Sequence, residues 1–402
     1  MPITALTCLP PVSRSSRPTA LDYDLLDSAL ELYAADKPRE AAQRVFAHLF
    51  PGLVIPDLDK EAFTFPQGSS RVTVALDGDE LTVRVPLVRL VPGSNATAAL
   101  RYVLTKISGS GQLHQPRLSG DELHLEFRDK VARLHPMKLM ETLRRAPTEA
   151  DQNDDWMTDQ FGVEPLERES IAPLTAEELD RAEKIWRAHW SEVEELMKEA
   201  QRKRSMFFLN ELTSYTLQHI RWSLPLAGAL LARLLAAGAT FNDSDVDPSR
   251  REAALSKCTK EMKAVSREEL EKNLGHAVYS LSPVGEGRLE ILTSCLGGDY
   301  KETLTKLRQS GRHMDAALAL FGTFAYLLGR FAWPEAIEKL LLDGITGASG
   351  KPWREAGSEL TTQARLVLEL GQLELAEGSG ADDDEEGTDD EEEAVEGEGE
   401  PS

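Results

Sequence analysis

The sequence predicts an α+β fold, with an N-terminal α-βββ-α-ββ(β)-α domain over 19–147, an all-α helical domain over 174–376 and a disordered acidic tail over 377–402. Three observations predict it. Apolar residues alternate with polar ones at period two through 63–85 and again through 123–127, the spacing of half-buried strands. Behind residue 147 they recur every three or four positions, as on helices. The last twenty-two residues hold thirteen Asp or Glu and no Lys or Arg, so that stretch has no apolar surface to offset the entropy of ordering it.

At 402 residues, 41% hydrophobic and 28% charged, the chain can bury at least one sizeable core and has room for roughly two domains. Its net charge of −23 argues against a nucleic-acid partner. Without the thirteen tail acids the balance is −10, ordinary for a protein in water. Cys8, Cys258 and Cys295 are odd in number and never in C-x-x-C spacing, which predicts a reduced, cytoplasmic protein. The N-terminus has no basic residue ahead of its short apolar stretch and reads poorly as a secretion signal. Residues 224–239 are apolar apart from Arg233, but shorter than the roughly 18–20 residues of a span. A buried helix is expected there, and no membrane span.

In chain order, 1–18 is rich in Pro and Ser and expected to be flexible. A helix is expected over 19–36, opened by Thr19 and Asp22 and burying Leu25, Leu26, Ala29 and Leu32. Pro38 opens a second. After the strand at Phe63 and Phe65, a hairpin is expected around 77–80, where Leu76 meets Leu81, Val74 meets Val83 and Val72 meets Val85. A one-residue slip would set each apolar side chain against Thr, Arg or Ala, so the register is well specified. Arg71, Thr73, Thr82 and Arg84 fall on the opposite, wet face. Ser94 and Asn95 then cap a helix over 94–108 whose Leu100, Val103, Leu104 and Ile107 form one stripe. Ser119 and Gly120 reverse the chain into the strand of Leu123, Leu125 and Phe127, and a last helix opens at His135-Pro136 and is expected to end before Pro147. Residues 148–173, with ADQNDDW and two further prolines, read as a linker.

This element order, carried by RVTVALDGDELTVRVPL, NATAALRYVLTKIS and GQLHQPRLSGDELHLEF, resembles the type III secretion chaperone and YbjN-like superfamily over residues 20–147. The resemblance implies a small chaperone-like α+β domain that binds peptide segments without catalysis. It also implies a possible homodimer, paired through the helix carrying Leu100, Val103, Leu104 and Ile107. Members are typically small single-domain proteins, whereas this chain runs on for another 250 residues or so.

The helical domain opens with a capping box at Thr175 and Glu178. Further helices are expected over 205–239, kinked at Pro225, and over 249–264, 267–279, 286–295, 299–309, 313–331, 334–342 and 353–375. The 313–331 stretch is apolar almost all round and expected at the bundle centre.

No constellation of catalytic, cofactor-binding or metal-ligating residues emerges. GASGKP at 347–352 lacks the first Gly and the Ser or Thr of a phosphate loop. DSDVDP at 243–248 lacks the Gly and bidentate Glu of a calcium loop and reads as a helix cap. The eight histidines show no zinc spacing, and Arg250-Arg251 reads as a solvated helix end. The expected function is therefore a non-enzymatic adaptor that binds a protein or peptide partner through the N-terminal domain, with Leu25, Leu32, Val72, Val74, Val83 and Val85 shaping the surface. For each of these, core packing is the plainer expectation. The alternatives are a helical scaffold whose N-terminal domain mainly dimerises, and an enzyme with an unfamiliar site in the helical domain.

Overall fold

The computed structural model describes residues 3–12, 23–51, 53–58, 60–109, 112–169, 171–282 and 284–375. The cap at Thr19 and Asp22 and the acidic tail lie outside these described residues. The chain enters its α+β domain through a helical hairpin, α1 (Tyr23–Ala34) and α2 (Pro38–Leu49), with Pro38 in the first turn of α2, where its missing N–H costs nothing. Three antiparallel strands follow: β1 (Phe63–Gln67), β2 (Ser70–Asp77) and β3 (Glu80–Arg89). Leu76 opposes Leu81 and Val74 opposes Val83, the expected register. Gly78 stands first in the two-residue turn at φ +63°, the backbone geometry that matches hairpin twist.

Helix α3 (Ala96–Tyr102) is capped by the Asn95 side chain on the Ala98 amide at 3.2 Å and continues as one π-helical turn, Val103–Ile107. Strands β4 (Gln115–Ser119) and β5 (Glu122–Lys130) complete the order β1-β2-β3-β5-β4. One face of this sheet is dry: Val72, Val74, Val83, Val85 and Leu125 are fully buried, packed with Leu139, Leu143, Ala146 and Ala150. The other is a lattice of cross-strand pairs. Arg117 meets Glu126 at 2.9 Å, Arg89 meets Glu122 at 2.8 Å, and Arg84 donates from Nε to His124 Nδ1 at 3.1 Å. His124 is itself buried, and the two Arg–Glu pairs, open to solvent on the arginine side, contribute a few tenths of a kcal/mol each, up to about 1, so the dry face decides the fold.

Helix α4 (Pro136–Phe161) corrects the expected boundary. It runs straight through Pro147 for 26 residues and turns 148–161, expected as linker, into helix. An interior proline costs about 3 kcal/mol. Burial on the sheet offsets it: Leu143, Ala146, Ala150 and Met157 are all 0% exposed, and burying side chains of Leu or Met size contributes about 1.5–3 kcal/mol each. Beyond Gly162 the remaining linker is built in, not loose. Strand β6 (Glu164–Pro165) pairs with β3, and the Ala172 and His276 backbones exchange two hydrogen bonds at 3.1 and 2.8 Å.

The all-α domain comprises α5 (Ala176–Lys203), α6 (Met206–Ser223), α7 (Gly228–Phe241), α8 (Pro248–Ala264), α9 (Arg267–Lys272), α10 (Leu289–Leu296), α11 (Gly298–Gln309), α12 (His313–Arg330), α13 (Glu335–Ala348) and α14 (Trp353–Glu374). A short parallel pair, β7 (Gly285–Glu286) with β8 (Phe331–Ala332), lies among them. The Thr175 capping box forms, and α12 is central, as expected. The long helix expected over 205–239 breaks at Pro225 into α6 and α7, and the one expected over 267–279 stops at Lys272, because the backbone of 274–281 bonds to other elements. Arg251 is no solvated helix end. It is 1% exposed and reaches Phe241 O at 2.9 Å, Asn210 Oδ1 at 2.7 Å and Thr213 Oγ1 at 3.2 Å, tying three helices together.

The N-terminal residues, expected to be flexible, form a strap across this bundle. Leu6, Cys8 and Val12 join its core. Leu6 O accepts from Gly350 N at 2.7 Å, Ile3 O from Trp353 Nε1 at 2.9 Å, and Val12 N donates to Ser223 O at 2.9 Å. Leu6→Ala is expected to destabilise the helical domain by about 2–5 kcal/mol, whereas the exposed Thr4→Ala should leave it within about 0.5 kcal/mol. Chemical denaturation of the two variants checks this; equal stabilities would show that the strap contributes nothing.

Candidate functional site: the junction and cleft between the domains

The two domains meet at the β1–β2 turn. Gly68 has φ +63°, and a Cβ there would stand 2.1 Å from Asp151 Oδ1 on α4, so only glycine fits. Ser69 donates its amide to Asp151 Oδ1 at 2.5 Å, and its hydroxyl lies 2.9 Å from Asp151 Oδ1 and 2.7 Å from Asp154 Oδ2. A hydroxyl carries one proton, so it bonds both carboxyls only if one of them is protonated. Burial, then the charge of Asp155, raises Asp154 to about 7, which supplies that proton near neutrality. Arg168 grips Asp155 through two nitrogens.

From the other side, Gly68 N donates to Val278 O at 2.9 Å and Ser280 N to Pro66 O at 3.1 Å. The Gln67 amide both donates to Leu281 O and accepts from Leu281 N at 2.9 Å. Leu281 thereby enters the core of the α+β domain. The junction is thus a short antiparallel pairing fastened to α4 by buried acids.

Beside it opens a cleft of about 950 Å³. Tyr23, Arg144 and Thr148 line it from the α+β domain, and Val284, Arg288, Ile291, Trp333 and Leu375 from the helical one. Tyr23 and Glu286 hydrogen-bond across its mouth, with Arg288 5.7 Å from the Tyr23 ring centre. Gly287 lets the backbone press on Trp333, since a Cβ would lie 2.2 Å from Cε3. Apolar side chains, two cations (Arg144 and Arg288) and two acids (Glu286 and Glu290) line this cleft at a boundary between domains, with Arg288 3.8 Å from Glu286.

Most residues singled out in the sequence lie elsewhere. Val72, Val74, Val83 and Val85 are 0% exposed; α4 covers the dry face of the sheet, so they are closed to a partner. Leu25 and Leu32 are half-buried on α1. Of the pairing stripe, Val103 and Ile107 are core residues, Leu100 is half-buried and Leu104 alone is open, at 63%. Asp247 caps α8, and Gly350 turns the chain between α13 and α14. Burial raises the thiols of Cys8 and Cys258, the latter to about 12, so neither is a poised nucleophile. Among the described residues no group of three or more His, Cys, Asp or Glu is placed to hold a metal, and no helix is long and apolar enough to cross a membrane.

The sequence reading missed the junction and a buried imidazole pair. His189 and His219 approach at 3.1 Å between Nδ1 atoms, and desolvation lowers both, His219 to about 4. Their only signal was helical spacing against the bundle core. Comparison with family models and with curated proteins finds no match.

The acids at the junction make stability pH-dependent. Asp154 is raised above its unfolded value, so its contribution is complete below the ordinary carboxylate range and is lost as pH rises through about 7. Asp154→Asn replaces the shared proton with an amide donor. The variant is expected to lose less thermal stability than the wild type between pH 5 and pH 8; parallel melting curves would count against a protonated Asp154.

Proposed function

We propose that the protein is a non-enzymatic adaptor that holds an extended segment of a protein partner in the cleft between its domains. The single observation that carries this reading is the cleft of about 950 Å³, whose apolar side chains are interspersed with charges of both signs, Arg144 and Arg288 with Glu286 and Glu290, and which suits the mixed apolar and polar groups of an extended polypeptide. The resemblance of 20–147 to peptide-binding chaperone-like domains points the same way, with the contact surface moved from the valines of the sheet to the domain boundary. The strand edge at β4 is a poorer candidate. Pro116 removes a donor from it, which blunts strand addition. Three unpaired cysteines suit a cytoplasmic setting.

A photo-crosslinking residue at position 144 or 291 should capture the partner in the native cell, and the same residue at the exposed Lys257 of α8 should not. Arg144→Glu should weaken that capture about tenfold through charge reversal at the cleft. Equal labelling from all three positions would sink the proposal. A second reading, pairing of two copies through α3, rests on the exposure of Leu104. It requires that Leu104→Glu shift the sedimentation coefficient from dimer to monomer.

A further inference from the structure

A second pocket, of about 370 Å³ and open to solvent on one side, is formed by the helical domain alone and shares no lining residue with the cleft. Helix α10 separates them, with Glu290 and Ile291 lining the cleft and Ser294 and Cys295 the cavity. A carboxylate, Glu211 on α6, opens into this space. No Lys, Arg or His lines the cavity with it, and burial alone pushes its pKa up to about 7, with neither a neighbouring cation nor a hydrogen bond acting on it. Other covered acids have at least one partner: Asp315 meets Lys203 and Arg312, Asp155 meets Arg168, and Glu192, also without a cation, accepts from Thr7 N at 2.7 Å.

The remaining walls are neutral: two tyrosines, two amides, the hydroxyls of Ser214, Ser294 and Thr323, and the Cys295 thiol, which burial raises above its usual range. Tyr300 and Tyr326 contribute aromatic rings, the Tyr300 hydroxyl tied to Thr323 Oγ1 at 2.9 Å. Gln218 and Asn242 contribute amides that both donate and accept. An anion would be repelled here. A metal ion would find one carboxylate and no second ligand of its kind. A neutral molecule would leave the desolvation of Glu211 uncompensated. A cation is the complement, because it pairs with the acid and is attracted to the negative face of a tyrosine ring. The volume sits at the small end of ligand sites, which run from roughly 300 to 1,000 Å³.

We infer that this cavity is a binding site for a small organic cation, an amine or quaternary ammonium compound, held against Glu211 and between Tyr300 and Tyr326. The site stands apart from the partner cleft and would be occupied whether or not the adaptor reading holds.

Calorimetric titration of the full chain with butylamine and with choline tests the inference, with 1-butanol and butyrate as neutral and anionic controls. At least one of the two cations is expected to bind at one site per chain, with both controls silent. Glu211→Gln should weaken that binding at least about tenfold, as loss of a charge-assisted contact does, without lowering the melting temperature. Ser214→Leu, which fills the same space from another point on its wall without altering charge, should abolish binding and guards against a folding defect in the first variant. Absence of saturable binding by both cations, equal affinity in the Glu211→Gln variant, or equally tight binding of butanol would each overturn the inference and leave a water-filled cavity only.

Discussion

The joining of the two domains depends on one contact, the seat of the Gly68–Ser69 turn on Asp151 and Asp154. The dry face packs the sheet on α4, this contact locks the end of the β1–β2 hairpin to the same helix, and through the same turn the segment at 278–281 is fixed to the sheet. A helix that would end at Pro147 by its own propensity runs on for about four further turns, held by burial on the sheet and by this contact, and the cleft takes Arg144 and Thr148 from the helix on either side of that proline. Buried carboxyls are costly unless hydrogen-bonded or protonated. Here one serine hydroxyl serves two of them, so a single proton settles whether the contact is satisfied.

The sheet was legible in the sequence because a period-two pattern has one register that buries all its apolar side chains, and Val74 opposite Val83 is that register. The order of elements through β5 was legible for the same reason, as was the apolar centre of the bundle at α12. What could not be read was tertiary override. Ala146, Ala150, Asn153 and Met157 recur at helical steps, but Pro147 and the acids between them mask the stripe until the sheet face is there to cover it. Likewise Leu6 and Cys8 alternate as a strand would, over too few residues to register as one.

The valines expected to meet a partner show the limit of arguing from apolar pattern to binding. The pattern that specifies a core and the pattern that specifies a contact surface are identical, and only the presence of a covering element separates them. Helix α4 is that element. The cleft, by contrast, is assembled from α1, α4, β7, β8, α10 and the end of α14, whose contributions are scattered through the sequence from Tyr23 to Leu375. Nothing local marks such residues. Glu211 was equally invisible, since a glutamate on a helix is ordinary until its solvent is removed.

The strap at residues 3–12 bears on the order in which the molecule assembles. Its anchors are Ser223, Ser349, Gly350 and Trp353, so residues 3–12 stay undocked until a segment some 340 positions further along the sequence has been made. The intervening α+β domain is synthesised in between, and domains fold as units as they emerge. The helical domain therefore closes over residues 3–12 only once α13 and the start of α14 are in place, a long-range closure that spans the whole α+β domain.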